Sequence, residues 1–504
     1  MDEHSTLRSC LGGLEPHTAL KMLSPWLATR VGRLARTRAV GRAPELLSFV
    51  VLKLTLSPAL EQALDFATDQ VDGRLSRSLA AHRWGAASGV RAIERFGAEW
   101  ADQDPSLQRA ITLLAVAVDA PSDRREATLE DALTAALDGA RDRVVEFSNA
   151  IRGPAMGIYA FGVMLPLALV GLLPVLAASG GGVSPLALAV LYDLLIPVGL
   201  TSSAVWLWAR RPAVSDAGFD EAILRHARPV NAVAAGLGAG LGAGVGVRLL
   251  GPSWMTPITA GGVAVGAGLA VCLHPAVEAQ TRLDRLEERL PDAVTIVGQK
   301  LGEGEPIESA VGAVADRFDG PLGDLFERGR ARQRTTGEPI DRVFLGPEGL
   351  LATLPSQRTE AALSLTATAA TYGPPGGRTL LSVGEYLGSL QDVERAARRE
   401  LSQTTNTLKQ TAVVFAPAIA GVTVALATGM GAVDGSGQPV DVAALGRVVG
   451  VYVLQLAIVL PSLSVVLARG LDPVRMGFQS AVALGVSSVV YPLSFVVARS
   501  LVYL

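Results

Sequence analysis

The chain has 504 residues, of which 49% are hydrophobic and 18% are charged, and its formal net charge is −3. A net charge this close to zero argues against a globally basic nucleic-acid-binding protein. The two cysteines, Cys10 and Cys272, are far apart in sequence, which excludes a disulfide framework and a four-cysteine zinc site.

Charge is distributed very unevenly along the sequence. Residues 1–152 and 275–410 hold 75 of the 91 formal charges, although they make up little more than half of the chain. A membrane-spanning helix needs about 20 apolar residues with few charges, because a charge in hydrocarbon costs several kcal/mol. The distribution therefore predicts a multi-pass membrane protein with two charged blocks outside the bilayer.

The first predicted element is a basic amphipathic segment at residues 1–41. Between Glu15 and Glu45 there are six cations and no acid, and apolar residues recur at three- and four-residue spacing. Such a helix can lie on an anionic inner leaflet with its apolar side down. The alternative is an ordinary solvated helix packed on its own bundle, and the sequence leaves both open.

The next element, residues 42–152, is predicted to be a helical bundle. Leu46, Leu47, Val50 and Leu54 follow the spacing of one helix face, and strand alternation is scarce. A second block at residues 275–410 shows the same pattern. Each block is therefore expected to form a small antiparallel helical bundle.

The uncharged runs predict about seven transmembrane helices. Helices 1–4 are expected within residues 153–274 and helices 5–7 within residues 411–504. Arginines concentrate in the loops that would be cytoplasmic if the N-terminus is inside. That orientation places both charged blocks in the cytoplasm and the C-terminus outside the cell membrane.

One acidic residue, Asp193, lies well inside a predicted span. Carboxylates within a membrane are costly and are functional hypotheses by default, for example in proton relays. The other predicted spans supply no His, Lys or second acid to complete a relay. A structural or assembly role is therefore favoured over transport.

Small residues mark helix faces in the third and fourth spans. Their four-residue spacing lets helix backbones approach closely and favours packing of these two spans against each other, with a dimer contact as the alternative. The glycines of these faces are Gly236, Gly240, Gly244, Gly262 and Gly266.

A dense cationic run occurs in the second block. It is a candidate docking surface for an acidic partner, because complementary charge accelerates encounter. The alternative is a solvated helix face. The run consists of Arg328, Arg330, Arg332 and Arg334.

The two charged blocks resemble each other at an offset of 247 residues. The match begins where Arg42-Ala-Pro-Glu-Leu aligns with Arg289-Leu-Pro-Asp-Ala. Duplication on this scale predicts two equivalent domains. Candidate structural or partner positions are the equivalent pairs Lys53 with Lys300 and Asp72 with Asp319.

Catalytic and cofactor motifs are missing from the sequence. There is no Gly-Lys dipeptide, which excludes a Walker A phosphate loop, and there is no His-Glu-x-x-His, Cys-x-x-Cys or Gly-x-Ser-x-Gly. The five histidines are scattered. We therefore expect no enzyme activity, no metal site and no cofactor.

Three motifs of the second block occur in a recognisable order. They are Arg289-Leu-Pro-Asp-Ala, Leu301-Gly-Glu-Gly-Glu-Pro-Ile-Glu-Ser-Ala-Val and Gly320-Pro-Leu. With these motifs the block resembles the type II secretion system F superfamily. The resemblance covers residues 284–433 best and 42–178 more weakly. An arrangement of two such domains in one polytopic chain is similar to that of the membrane platform proteins of archaeal pili and archaella.

The resemblance implies a non-enzymatic platform for assembling a type IV pilus-like filament. Its implied partners are a hexameric secretion ATPase, pilin-like subunits, the lipid bilayer and a second copy in a homodimer, with no nucleic acid. The first repeat departs from the pattern, since it has Thr55 and Ser57 at the positions that correspond to Gly302 and Gly304 of the second repeat. The rival interpretations are a secondary transporter and a membrane scaffold without a motor.

Overall fold

The computed structural model describes residues 39–71, 73–86, 88–178, 184–210, 229–353, 356–370, 374–433 and 441–502. Residues 1–38, which hold nearly all of the predicted basic amphipathic segment, and Asp72 lie outside the described residues. The described residues form helices joined by short connections, with no strand among them. The all-α prediction is confirmed.

Helices of the first charged block begin at recognisable local signals. The Asp104 carboxylate accepts a hydrogen bond from the backbone N–H of Ser106, and Pro105 occupies a first-turn position where a missing N–H leaves no bond unmade. The helices are α1 (Ala43–Leu56), α2 (Leu60–Gln70), α3 (Arg74–Trp84), α4 (Gly89–Trp100), α5 (Pro105–Asp119) and α6 (Ser122–Tyr159).

The chain then passes through the apolar region into one very long helix. Two π-helical segments, Ala160–Met164 and Val190–Leu195, interrupt the regular helix here. The helices are α7 (Leu165–Ala178), α8 (Pro185–Ala189), α9 (Ile196–Arg210), α10 (Pro229–Leu250) and α11 (Thr256–Gly302).

The second charged block and the last apolar region follow. A third π-helical segment, Thr411–Phe415, joins them. The helices are α12 (Ile307–Arg317), α13 (Pro321–Thr336), α14 (Ile340–Leu345), α15 (Gln357–Ala370), α16 (Pro374–Gln410), α17 (Ala416–Val433), α18 (Val442–Arg469) and α19 (Pro473–Val502).

Among the described residues, seven helical stretches are long and apolar enough to cross a membrane, which is the number that the sequence predicts. Large apolar side chains on them face outward: Leu241 is 70% exposed and Leu249 is 79% exposed. Exposed apolar surface on this scale is unfavourable in water and is expected against lipid. The stretches, called spans 1 to 7 below, are Arg124–Leu172, Leu186–Ala209, Asn231–Leu250, Ser253–Gly302, Gly376–Thr428, Val442–Arg469 and Pro473–Leu501.

Helix α11 is much longer than a bilayer requires. Its 47 residues extend about 70 Å at 1.5 Å per residue, against about 30 Å of hydrocarbon. The predicted fourth transmembrane helix and the first helix of the second bundle are therefore one continuous element. This element begins the second half of the chain.

The chain divides into two compact units. One is built mainly from Leu60–Gly139, and the other mainly from Ala140–Trp208 and Ser215–Leu504. The second charged block therefore belongs to the same unit as the apolar helices, whereas most of the first charged block forms a unit by itself.

Matching helix positions make the internal repeat visible. Helices α2 and α12 begin 247 residues apart, at Leu60 and Ile307. Gly73 and Gly320, also 247 residues apart, both have positive φ at the start of the next helix, with values of 132° and 80°. The π-helical segments Ala160–Met164 and Thr411–Phe415 repeat at a slightly larger offset.

Candidate functional site

The predicted arginine run lies on α13, where two of its members are already paired. Arg330 Nη1 lies 2.9 Å from Asp316 Oδ1, and its Nη2 pairs with Glu327. Arg332 Nη1 donates to the backbone carbonyl oxygen of Glu348 at 2.6 Å. Both guanidinium groups are therefore engaged by other parts of the second bundle.

The two ends of the run differ from its middle. Arg328 Nε donates to the backbone carbonyl oxygen of Asp324 at 3.1 Å. Arg334 makes no side-chain hydrogen bond or ion pair within the described parts of the chain. The sequence pattern suggests four equivalent free cations. In the structure the four arginines of the run have different surroundings.

The repeat-equivalent positions have different surroundings. Lys300 Nζ lies 2.8 Å from Glu305 Oε1 and 3.4 Å from Glu303 Oε2, and its hydrogen bond to Glu305 lowers the pKa of that carboxyl. Its counterpart Lys53 lies on α1, and Asp72 is outside the described residues. Asp319 is exposed in the turn before α13.

The first glycine face packs span 3 against span 4. A Cβ on Gly236 would lie 2.6 Å from the carbonyl oxygen of Ala264, and one on Gly240 would lie 2.6 Å from the Cβ of Ala264. Gly244 faces Ala260 in the same way. Neighbouring helix backbones can come this close because glycine has no side chain.

The two glycines of span 4 do not face span 3. A Cβ on Gly262 would overlap the Ser488 hydroxyl, and one on Gly266 would lie 2.6 Å from the backbone nitrogen of Gly485. Both contacts are with α19. The expectation that all five glycines join spans 3 and 4 is therefore wrong for Gly262 and Gly266, because α19 occupies that side of α11.

Asp193 lies in the π-helical segment of span 2. Its Oδ1 is shielded from solvent and has no hydrogen-bond partner in the described residues. Its backbone carbonyl oxygen accepts a hydrogen bond from Gln455 Nε2 of α18 at 3.1 Å. Pro197, four residues later, has no N–H to offer this carbonyl, so the Gln455 amide takes the place of the missing helical donor.

A second proline-freed carbonyl is satisfied from the same helix. Pro166 cannot donate to the carbonyl oxygen of Gly162, which instead accepts a hydrogen bond from the Tyr452 hydroxyl. The Tyr192 hydroxyl donates to the carbonyl oxygen of Pro166 at 2.6 Å. The rings of Tyr192 and Tyr452 meet edge to face, with centroids 5.5 Å apart.

We call Tyr192, Asp193, Tyr452 and Gln455 the intramembrane polar cluster. It joins spans 1 and 2 to α18 at the positions where prolines break the helical hydrogen bonds. In hydrocarbon these carbonyl oxygens have no water to accept from, so their side-chain donors are structurally important.

Outside the apolar region, an ion-pair junction joins α11 to the connection between spans 6 and 7. Asp284 Oδ2 lies 2.8 Å from Arg469 Nη1 and 2.7 Å from Arg475 Nη2. The two arginines stand on either side of the short connection from α18 to α19. One carboxylate of the second bundle therefore holds both ends of that connection.

Asp472 completes the junction. Its side chain is 3% exposed, lies 3.2 Å from Arg475 Nε and accepts a hydrogen bond from Gln280 Nε2 at 3.2 Å. Its Oδ1 also accepts from the backbone N–H of Arg475 at 3.0 Å, which caps the start of α19. We call Gln280, Asp284, Arg469, Asp472 and Arg475 the junction.

A further set of polar contacts ties α11 to α15 and α16. Arg358 Nη2 lies 2.7 Å from Glu394 Oε1, which belongs to a side chain only 7% exposed. The Ser356 hydroxyl donates to Glu287 Oε1 at 2.7 Å, and Gln391 Nε2 donates to the carbonyl oxygen of Glu287 at 2.7 Å. The helices that carry spans 4 and 5 are thus crosslinked along their polar extensions.

Sequence patterns identified Asp193 but no other member of the intramembrane polar cluster, and they did not identify the junction. A signal existed for the cluster, since Pro166 and Pro197 each follow, by four residues, a carbonyl that needs a new donor. The junction gave only a weaker signal, which is the pair of arginines, Arg469 and Arg475, around the turn residues Gly470 and Pro473. Their partner Asp284 lies almost 200 residues away in sequence, so only the fold brings the groups together.

Within the part of the chain that the structure describes, no group of three or more His, Cys, Asp and Glu side chains is arranged to hold a metal ion. Comparison of the chain with protein-family profiles, curated proteins and solved structures finds no match.

Proposed function

We propose that this protein is the non-enzymatic membrane platform of a type IV pilus-like machine, either an archaeal pilus or an archaellum. In this proposal a hexameric cytoplasmic secretion ATPase acts on the charged blocks, and the spans pass the motion to pilin-like subunits entering a filament. The resemblance of residues 284–433 to the secretion F superfamily suggests this role.

The observation that carries the proposal is the continuity of α11. This helix extends without a break from span 4 through the second charged block. The junction then fixes the connection between spans 6 and 7 to the same helix through Asp284. A displacement of the block would therefore act on spans 4, 6 and 7.

The number of spans supports a common side for the two charged blocks. Four candidate spans lie between the first block and the second. An even number of crossings returns the chain to the side from which it started. In this proposal that side is the cytoplasm, which lets one ATPase contact both blocks and leaves the C-terminus outside.

Two measurements test the proposal. The full-length protein in detergent should co-purify with the secretion ATPase of the same organism, and no such complex would count against the platform role. Single cysteines placed in each block of a Cys10→Ser, Cys272→Ser background should react only with membrane-permeable reagents in intact cells. Labelling of the two blocks from opposite sides would refute a shared motor.

A secondary transporter is the second candidate, favoured by the unpartnered Asp193 Oδ1 in span 2. If span 4 is counted with the second half, because α11 continues into the second charged block, the first half has three of the described candidate spans and the second has four. The division of the spans is then unequal in either count, and it still argues against a transporter repeat. Substrate flux into vesicles that disappears in Asp193→Asn would favour transport. The platform proposal expects this variant to assemble filaments normally.

A further inference from the structure

A polar concavity of about 590 Å³ opens on the second charged block. One wall is a single face of α11, on which Arg289, Asp292 and Gln299 recur at helical spacing. The other wall is Arg317 at the end of α12 and Asp319 in the turn before α13. The walls belong to consecutive elements of one bundle, so the shape of the concavity is set by the bundle itself.

Four charged side chains line this concavity without neutralising one another. Arg289, Asp292, Arg317 and Asp319 are all exposed, and none makes an ion pair or a side-chain hydrogen bond to any described residue. Nearby charges behave differently, since Lys300 is paired with Glu305 at 2.8 Å. The bundle thus holds two cations and two anions apart in one depression.

The internal repeat gives an independent reason to single out this surface. Arg289 and the Asp319-Gly320 turn align with Arg42 and Asp72-Gly73 of the first block. Arg42 Nη1 lies 3.8 Å from the position that a Cβ on Gly73 would occupy, whereas in the second block Arg289 and Asp319 line the same concavity without such a close approach at Gly320.

Other wall positions have changed between the two copies. Leu52 corresponds to Gln299, and Gln70 corresponds to Arg317. The complete set of four free charges is therefore a property of the second block, on a framework that both blocks retain.

We propose that the concavity lined by Arg289, Asp292, Arg317 and Asp319 is a docking surface for a cytosolic protein surface carrying both basic and acidic side chains. The inference rests on the proposed function, in which that partner is the secretion ATPase. Charges of both signs at fixed positions set the orientation of a partner as well as its rate of encounter. This surface replaces the arginine run, whose central members are paired inside the bundle.

The test compares matched charge reversals in the full-length protein, with the purified secretion ATPase of the same organism as the probe. Arg289→Glu with Arg317→Glu, and separately Asp292→Lys with Asp319→Lys, should each weaken binding by about tenfold or more at low salt. Arg328→Glu with Arg334→Glu makes the same charge change as the first pair and should alter affinity by less than about threefold. All six positions are on the surface, and an unchanged melting temperature excludes misfolding.

The outcomes separate this inference from the proposed function. If the wild-type chain binds the ATPase and both concavity variants bind equally well, the docking assignment is wrong while the platform role stands. If reversal of the two aspartates tightens binding, the partner surface is purely acidic and the mixed-charge assignment fails. If the wild-type chain does not bind the ATPase, both proposals fall.

Discussion

The two charged blocks match each other at an offset of 247 residues, yet they join the rest of the chain differently. Most of the first block forms a compact unit by itself, whereas the second belongs to the unit that contains the apolar helices. Two features connect the second block to the apolar helices. They are the continuous helix α11 and the junction centred on Asp284. Blocks with matching sequence patterns can therefore differ in how they are integrated with the apolar helices.

The first block is stabilised in part by contacts within its own helices. The Glu61 carboxylate of α2 accepts a hydrogen bond from the backbone N–H of Gly89 at 2.8 Å, at the start of α4. The Trp100 indole N–H donates to the Ser78 hydroxyl at 3.1 Å. If the comparison holds, changes at the junction should affect the apolar helices, and changes at Glu61 should remain local.

The largest effect is expected from Asp284→Ala. It leaves Arg469 and Arg475 close together without their shared carboxylate, which should lower the free energy of unfolding by about 2–3 kcal/mol. Thermal unfolding in detergent measures this loss. Asp292→Ala, on the same helix, is the control and should shift the melting temperature little. Equal melting temperatures for the two variants would contradict the role of the junction.

The next effect is expected from Gly240→Ala in span 3. The new methyl group would approach the Cβ of Ala264 to 2.6 Å, forcing spans 3 and 4 apart at a cost of about 1–2 kcal/mol. Gly242→Ala provides the control, because its Cβ would have no heavy atom within 4 Å. Melting curves in one detergent compare the two, and a similar loss in both would show that the close approach is unimportant.

A smaller effect is expected from Tyr452→Phe. It removes the hydroxyl that donates to the Gly162 carbonyl oxygen and leaves that acceptor unsatisfied in hydrocarbon, for a loss of about 1 kcal/mol. Tyr159→Phe, which removes a hydroxyl with no hydrogen-bond partner in the described structure, should be neutral. Chemical unfolding in mixed micelles can resolve the difference. Identical stabilities would count against the intramembrane polar cluster.

The smallest and most pH-dependent effect is expected from Glu61→Gln. The hydrogen bond from the Gly89 N–H lowers the pKa of the Glu61 carboxyl below its ordinary value of 4.5. Its stabilisation, roughly 0.5–1 kcal/mol, is therefore fully present above pH 4.5 and is lost as the pH falls through the lowered value. Hydrogen exchange of α4 at pH 7 and at pH 3 measures it. A difference between variant and wild type that persists unchanged at pH 3 would contradict this assignment.

Much of the architecture could be predicted from local patterns. Charge-free runs locate seven spans, and three- and four-residue apolar spacing locates the bundle helices, because both signals are contained in short windows. The offset between Arg42 and Arg289 revealed the repeat. The fusion of span 4 with the second bundle was missed, since Pro275 and Pro291 suggest interruptions that α11 accommodates without ending.

The candidate sites were harder to predict because they depend on distant pairings. The arginine run was recognised by density alone, but density does not show that Arg330 finds Asp316 fourteen residues away. In the same way, α19 and not α10 meets Gly262 and Gly266. A periodic face predicts that a helix packs closely, but it does not specify which neighbour it packs against.

Helix α11 also sets the parity of the crossings between the two charged blocks. Without the candidate span at the start of α11, three of the described candidate spans would separate the first charged block from the second, an odd number that would leave the two blocks on opposite sides of a membrane. With this span the number is four, and the chain returns to the side from which it started. The side on which the second charged block lies therefore depends on this one helix.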